Sequence, residues 1–454
     1  MADSALREPT DREHAIVVGG GIAGLLAARV LAEHFQRVTL VDRDTLPSTP
    51  QPRRGVPQGR HTHGLSVAGH RILDQLFPGI SEELVTAGAV RGDVARDCRW
   101  FFEGGCLARS ASGLEGLLMS RPLLENMLRE RTLSLKNVEI RQDFKVEGLT
   151  ASTDGGRITG IRRSGERLSA DLVVDASGRG SHTPKWLEAL GYQKAPEERV
   201  EIDLAYTTRC FHRRREDLGG DLAAVIPPAP GKRGGAMLAQ EGDQWTVTLL
   251  AHFGSPAPAD LEGFVEFAKS LPAPYIYEVI REAEPVSEPA SARFPATVRR
   301  RYEKLQRFPE GFLVFGDAIA SINPSYAQGM SIAALEAVAL ADALVEGRRR
   351  LAPSFFARAA RVVEMAWVAA VGSDLRMPET VGARIAGGRL INWYITKLLK
   401  AAHRDSVLAN AFHSVSQLLA PPPSVMKPQI ALRVLWAELC SSPRNSRLRY
   451  QLDA

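Results

Sequence analysis

Ala15-Ile-Val-Val-Gly-Gly-Gly-Ile-Ala-Gly-Leu-Leu-Ala-Ala-Arg-Val-Leu-Ala32 is the stretch that decides the fold. A short apolar strand runs straight into Gly19-x-Gly21-x-x-Gly24 and then into an alanine- and leucine-rich helix. Gly19 permits the tight turn, Gly21 lets the backbone approach a pyrophosphate, and Gly24 lets helix and strand pack closely. A second strand, Arg37-Val-Thr-Leu-Val-Asp42, ends in an acid 23 positions after Gly19. That matches the roughly 20-residue spacing of a carboxylate that binds adenosine ribose. An acid here disfavours a 2′-phosphate, so the pattern predicts an ADP-ribose-type site.

A second strand-loop-helix lies far along the chain, from Gly311 to Met330. Phe312 to Phe315 is an apolar run, Gly316-Asp317 ends it, and a loop with Pro324 leads to a helix near Gly329-Met330. A strand end that presents a carboxylate, beside a helix start whose N–H groups are free, suits a polyol-bearing, electron-rich ligand.

Between these elements, Gln51 to His63 is rich in Pro, Gly and Arg and suits a phosphate-facing loop that includes Arg53 and Gln58. Its His61-x-His63 pair has no third ligand nearby, so hydrogen bonding or packing is expected and no metal. Ser120 reads as an N-cap with Pro122 in the first turn, which places Arg121 at a helix start where it suits an anion. Asp171-Leu-Val-Val-Asp175-Ala-Ser-Gly178 again delivers an acid into a glycine turn. Helices are expected at 66–78 and 81–88, and a hairpin at 96–108. From 196 to 300 the pattern turns β-rich, with a hairpin at Gly242-Asp243 and helices at 261–271 and 275–283. Beyond 331 it is helical: 331–347, 353–372, 386–417 and 428–440. The basic, amphipathic C-terminal helices leave two readings open, packing over the substrate domain or peripheral contact with a membrane surface.

The net charge of +5 is small for 454 residues, and its arginine bursts, such as Arg213–Arg215, Arg299–Arg301 and Arg348–Arg350, lack interleaved aromatics, which argues against nucleic-acid binding. Four scattered cysteines, Cys98, Cys106, Cys210 and Cys440, have no Cys-x-x-Cys spacing and suit a reducing compartment. No apolar run reaches spanning length, so a cytoplasmic location is expected.

Taken in order, the Gly19-x-Gly21-x-x-Gly24…Asp42 fingerprint, the Asp175 turn and Gly316-Asp317…Pro324…Gly329-Met330 resemble the flavoprotein monooxygenases of the p-hydroxybenzoate hydroxylase type. Arg53-x-Gly-Val-Pro-Gln-x-Arg-His-x-His63, Val173-Val-Asp-x-x-Gly-Arg-Gly-Ser181 and the Gly316 to Met330 motif are similar to bacterial flavin-dependent epoxidases of polyether biosynthesis. The resemblance implies an α/β + β architecture. A Rossmann-like FAD-binding domain (14–195 and 301–345) would follow a leader at 1–13. An inserted β-sheet substrate domain (196–300) and a helical C-terminal region (346–454) would complete it. It implies FAD held by Gly19, Gly21, Gly24, Asp42, Arg43, Arg53, Gln58, Arg121, Asp175, Gly178, Gly316, Asp317, Pro324, Gly329 and Met330. The implied reaction inserts one oxygen of O2 through a flavin C4a-hydroperoxide, with NAD(P)H as donor, directly or through a reductase. The implied product is an epoxide on a lipophilic polyketide or isoprenoid. Tyr206, Trp245, Phe253 and Tyr326 are expected in the substrate pocket. No catalytic base is singled out; His61, His63, Tyr206 and His252 are candidates.

One departure stands out. The hydroxylases carry Asp-Gly where this chain has Asp175-Ala-Ser-Gly178, which leaves the path of the nicotinamide open. Aromatic hydroxylation, prenyl-chain reduction and halogenation remain alternatives on the same cofactor domain. The Trp-x-Trp-x-Ile-Pro motif of tryptophan halogenases is absent. The oligomeric state is left open.

Overall fold

The computed structural model describes residues 13–228, 231–347, 350–384 and 386–441. The expected leader, apart from Glu13, lies outside them, as do Arg348 and Arg349 of the arginine burst and residues 229–230 of the expected Pro/Gly loop.

Five strands form a parallel sheet in the order Phe312–Val314, Leu172–Asp175, His14–Val18, Arg37–Val41, Val138–Arg141. Strand order reverses on either side of His14–Val18, the switch point where ligands gather in open α/β sheets. The register pairs Val18 with Val41 and Asp175, and Asp175 with Val314. Motifs hundreds of residues apart in sequence therefore leave the sheet side by side along one carboxyl edge. The strands read as continuous Val/Ile/Leu runs because both faces are covered. Helix Ile22–Leu31 packs with helix Gly329–Glu346, and the meander Gly148–Ala151, Ile158–Arg163, Glu166–Ser169 packs against strand Leu172–Asp175.

The second sheet has eight strands, in the order Ala320–Ser321, Ala290–Arg300, Glu197–His212, Gln244–His252, Arg233–Gln240, Ala223–Ile226, Cys98–Phe102, Gly105–Cys106. The hairpin expected at 96–108 forms, and it joins this sheet by pairing Cys98–Phe102 in parallel with Ala223–Ile226. The sheet thus draws on residues well before 196.

Helix Arg121–Leu133 starts as read: Ser120 Oγ accepts from Leu123 N at 3.2 Å. The single helix expected over 386–417 is two helices, Gly388–Ala401 and Ser406–Ser416. Asp405 accepts from Val407 N and Leu408 N and so starts a new helix with an N-cap. With helix Pro428–Ser441, these pack through Leu398, Leu399, Leu408 and Val434 onto Trp100, Phe102 and Leu107 at the sheet's far end. Among the described residues no helix is long and apolar enough to cross a membrane.

Candidate active site

Gly19 has φ +106°, and a Cβ there would lie 2.6 Å from the Ala176 carbonyl oxygen; at Gly24 it would lie 1.8 Å from the Gly19 carbonyl oxygen. Only glycine fits either position. Gly21 is different. A Cβ there would stand 3.7 Å from Arg53 Nη2 and 3.9 Å from Arg121 Nη2, so this glycine opens onto two guanidinium groups.

Asp42 accepts from Gly20 N at 2.6 Å and from Asp44 N at 2.8 Å, and lies 3.3 Å from Arg53 Nη1. Arg53 also reaches Asp44 at 2.8 Å and, through Nε, Glu125 at 2.7 Å. Burial works against its charge, but Glu125, Asp42 and Asp44 more than offset that and raise its pKa. Glu125 also receives Arg121 Nη2 at 3.1 Å. Arg121 is buried, its pKa is lowered by that burial, and among the described residues its Nε has no partner. A buried guanidinium with an unused N–H, beside a glycine turn and a second arginine, fits a pyrophosphate. Arg43 is exposed at the rim. Gln58 lies in the turn Pro57–Arg60, where its carbonyl accepts from His61 N at 3.0 Å.

Asp175 faces its own turn. It accepts from Ser177 N at 3.0 Å, Ser181 Oγ at 2.5 Å and the Thr183 hydroxyl. It pins the loop containing Gly178 (φ +82°) and does not point into the cradle.

At the next strand end Gly316 takes φ +67° and donates its N–H to Glu336 Oε2 at 2.6 Å. Glu336 is buried on helix Gly329–Glu346, and burial pushes its carboxyl up to about 8, so it is protonated at neutral pH. This bond sets the direction of Asp317. Enclosure raises the Asp317 pKa against the pull of Arg121 and Arg179. A Cβ on Gly329 would lie 3.6 Å from Asp317 Oδ1, so the helix start and the carboxylate converge. Among the described residues no side chain caps this 18-residue helix, and Pro324, Ala327 and Gly329 are exposed while Met330 packs into the core. The positive end of the helix is thus open to a ligand.

The loop around Pro324 is anchored from the C-terminal side. Asn323 Nδ2 donates to Asp374 Oδ1 at 2.9 Å, and Tyr326 OH donates to the same oxygen at 2.7 Å. Burial lifts Asp374 to about 6, and the Tyr326 and Asn323 bonds oppose that rise. Burial and Asp374 together raise the Tyr326 phenol.

The eight-stranded sheet supplies the facing wall. Side chains alternate along its strands, and the register sets Tyr206 opposite Leu250 and Ala292, and Thr208 opposite Thr248 and Ala290. On this face His61 Nδ1 pairs with Thr208 Oγ1 at 2.8 Å, Thr208 with Thr248 at 2.6 Å, and Thr248 with Thr62 at 2.7 Å. The His61 ring meets the Tyr206 ring edge-on at 4.6 Å. Burial and Arg60 lower His61 to about 4; burial and Arg121 lower His63, paired to the His61 carbonyl, to about 3. His252 gives Nδ1 to the Ile202 carbonyl. Arg179 lies 4.2 Å over the Phe294 ring. A cleft of about 470 Å³ lined by Arg53, Arg54, Arg60 and His61 opens between this loop and residues 289–292.

One expected pocket residue, Trp245, is elsewhere. Trp245 is an odd number of positions from Thr248 and therefore on the opposite face, fully buried, with Nε1 on Asp217 at 3.0 Å. Phe253 takes φ +50° as the chain leaves its strand, which turns it away from the alternating pattern. Glu125, Glu336, Asp374 and the threonine pair went unforeseen, whereas Arg179 stands in the Val173 to Ser181 motif with no role assigned to it there. Only Glu125 left a local trace, four residues after Arg121 on the same helix face.

The model of the FAD binding domain family matches residues 12–354. Protein Rv3254 of Mycobacterium tuberculosis is 36% identical over 350 residues, 73% of each chain. The 6-methylpretetramide 4-monooxygenase of Streptomyces rimosus is 28% identical over 368 residues, 76% of this chain and 78% of that one. A solved flavoprotein/dehydrogenase from Cytophaga hutchinsonii superposes with a TM-score of 0.66 at 13% identity, over 94% of this chain and 98% of its own, which is a likeness of fold alone.

Proposed function

The chain belongs to the FAD binding domain family and is a flavin-dependent monooxygenase of the hydroxylase and epoxidase type, and from that premise we propose that it epoxidises a C=C bond of a lipophilic polyketide or isoprenoid. The observation that carries the reading is the wall facing Asp317 and Gly329. Tyr206, Leu250, Ala292 and Phe294 give it apolar surface. Among the described residues named on that wall none is a carboxylate. Oxygen transfer to an alkene draws on the substrate's own π electrons and needs no protein acid or base on the substrate.

FAD, reduced by NAD(P)H, supplies the oxygen chemistry when bound. The residues that would hold it are those along the carboxyl edge. Gly19, Gly21 and Gly24 would bring the backbone close; Arg53 and Arg121 would neutralise the pyrophosphate; Asp42, Arg43 and Gln58 would serve the adenosine side. Asp317 would accept hydrogen bonds from ribityl hydroxyls, and the helix start at Gly329-Met330, carried by the Pro324 loop, would stabilise negative charge on the ring. Asp175 and Gly178 act through the turn they fix, and Asp374 through Tyr326.

A second reading, aromatic hydroxylation, draws support from the Tyr206–His61–Thr208 contacts: His61 is neutral at pH 7 and can orient a phenol by a hydrogen bond, although burial leaves it a weak base. The test is product analysis with 18O2, NAD(P)H and a panel of lipophilic polyenes and phenols. An epoxide carrying one labelled oxygen upholds the proposal. A labelled phenol moves the assignment to hydroxylation. A reduced alkene formed without O2 uptake overturns both.

A further inference from the structure

Helices Gly388–Ala401 and Pro428–Ser441 lie side by side, tied by Lys397 Nζ to Glu438 Oε2 at 2.6 Å, and turn Leu398, Leu399 and Val434 into the C-terminal core. Their outward faces are apolar as well. Leu390 is 66% exposed and Trp393 54%; on the other helix Leu432 is 65%, Leu435 55% and Trp436 69% exposed. Leu432, Leu435 and Trp436 follow the i, i+3, i+4 spacing of a stripe that packs on something, yet this stripe faces outward.

The charge around this surface has one sign. Arg389 and Lys400 share a helix face with Trp393, four residues before it and seven after. The two acids between 386 and 440, Asp405 and Glu438, are neutralised by Arg433 and Lys397. Arg389, Lys400, Arg404 and Lys427 are exposed, and among the described residues none of them forms an ion pair. Past Ser441 the sequence adds Arg444, Arg447 and Arg449 against Asp453 alone.

We propose that this surface docks on an anionic lipid bilayer, with both helices lying in the headgroup plane and Trp393 and Trp436 as interfacial anchors. Basic residues flanking tryptophan and leucine on a short helix are the chemistry of interfacial binding. Each helix has 14 residues and spans about 21 Å, too short for a hydrocarbon core of about 30 Å. A two-fold contact with a second copy would set the same four cations against themselves, which disfavours self-association. The proposal does not depend on the substrate assignment, although a lipophilic substrate would partition into the same bilayer.

The test is co-sedimentation of the FAD-loaded full chain with vesicles of phosphatidylcholine alone and of phosphatidylcholine mixed with phosphatidylglycerol. Partitioning onto the anionic vesicles should be at least about tenfold stronger and should weaken with salt. The double variant Leu435→Ser/Trp436→Ser should lose binding to both. Arg389→Glu/Lys400→Glu should lose only the preference for the anionic lipid. An unchanged flavin spectrum certifies the fold of each variant. Failure to bind either vesicle, or equal binding by wild type and variants, overturns the proposal. So does a wild-type dimer in light scattering that Leu435→Ser/Trp436→Ser turns into monomer, which would assign the surface to a second copy.

Discussion

The two faces of the eight-stranded sheet come from the same strands and do opposite work. One face presents Phe211, Met237, Trp245, Val247, Leu249 and Ala251 and is sealed by helices Leu261–Lys269 and Tyr275–Ile280. The other presents Tyr206, Thr208, Thr246 and Thr248 to the loop at His61 and Thr62. A shift of one residue exchanges them, so what separates core from site is strand parity and not composition. The covered face can spend its side chains on packing alone. The site face ties His61 into a chain of threonines, while His252 Nε2 stays without a hydrogen-bond partner among the described residues.

The largest effect should come from the covered face. Trp245→Ala removes a fully buried indole and should cost about 3–5 kcal/mol in chemical denaturation, while FAD affinity of the folded fraction stays that of wild type. A loss of FAD binding with stability intact would place Trp245 in the site after all.

The faces also differ in titration. The site side holds His61, His63 and His252, all lowered below 6.5 by burial; the covered cluster contains no histidine among the described residues. A lowered imidazole binds protons more weakly in the folded state than in the unfolded one. Its stability contribution is therefore present above 6.5 and lost as pH falls toward about 4 for His61 and about 3 for His63. Unfolding free energy should drop across that window, and His61→Gln should make the slope shallower. A slope unchanged in His61→Gln would mean that His61 is already solvated.

Smaller again is Thr208→Val, which keeps the shape and strips the hydroxyl shared by His61 and Thr248. It should cost about 1–3 kcal/mol and lower product formed per NAD(P)H consumed. Product yield that matches wild type would demote the threonine chain to scaffold. The smallest change is expected of Tyr206→Phe, which keeps the ring contact with His61: stability within about 0.5 kcal/mol, with any effect confined to turnover.

Local signals carried much of the architecture. Gly19 and Gly21 sit between a strand and a helix and Gly24 in the helix's first turn, Asp42 follows the next strand, and Ser120 caps its helix, because each depends on neighbours within a few residues. The Asp405 cap was written locally too, as Asp-Ser ahead of an apolar run, but the flanking helical periodicity masked it. What stayed hidden is non-local. Cys98–Phe102 pairs with Ala223–Ile226, a strand more than a hundred residues later. Glu336 meets Gly316 only once the helix folds back on the strand, and Asp374 reaches Tyr326 from the far end of helix Leu351–Asp374. Trp245 was misplaced because alternation marks two faces without saying which one faces the cofactor domain.

The most direct test of the account is the FAD dissociation constant of the apoprotein, compared between wild type and Arg121→Ala. Arg121 is a buried cation beside Gly21 whose Nε has no partner among the described residues. Losing it should weaken FAD binding about tenfold to hundredfold, the worth of a charge-assisted hydrogen bond, with the folding transition still cooperative. Wild-type affinity in Arg121→Ala would contradict the placement of the pyrophosphate, and with it the claim that this carboxyl edge is the cofactor site.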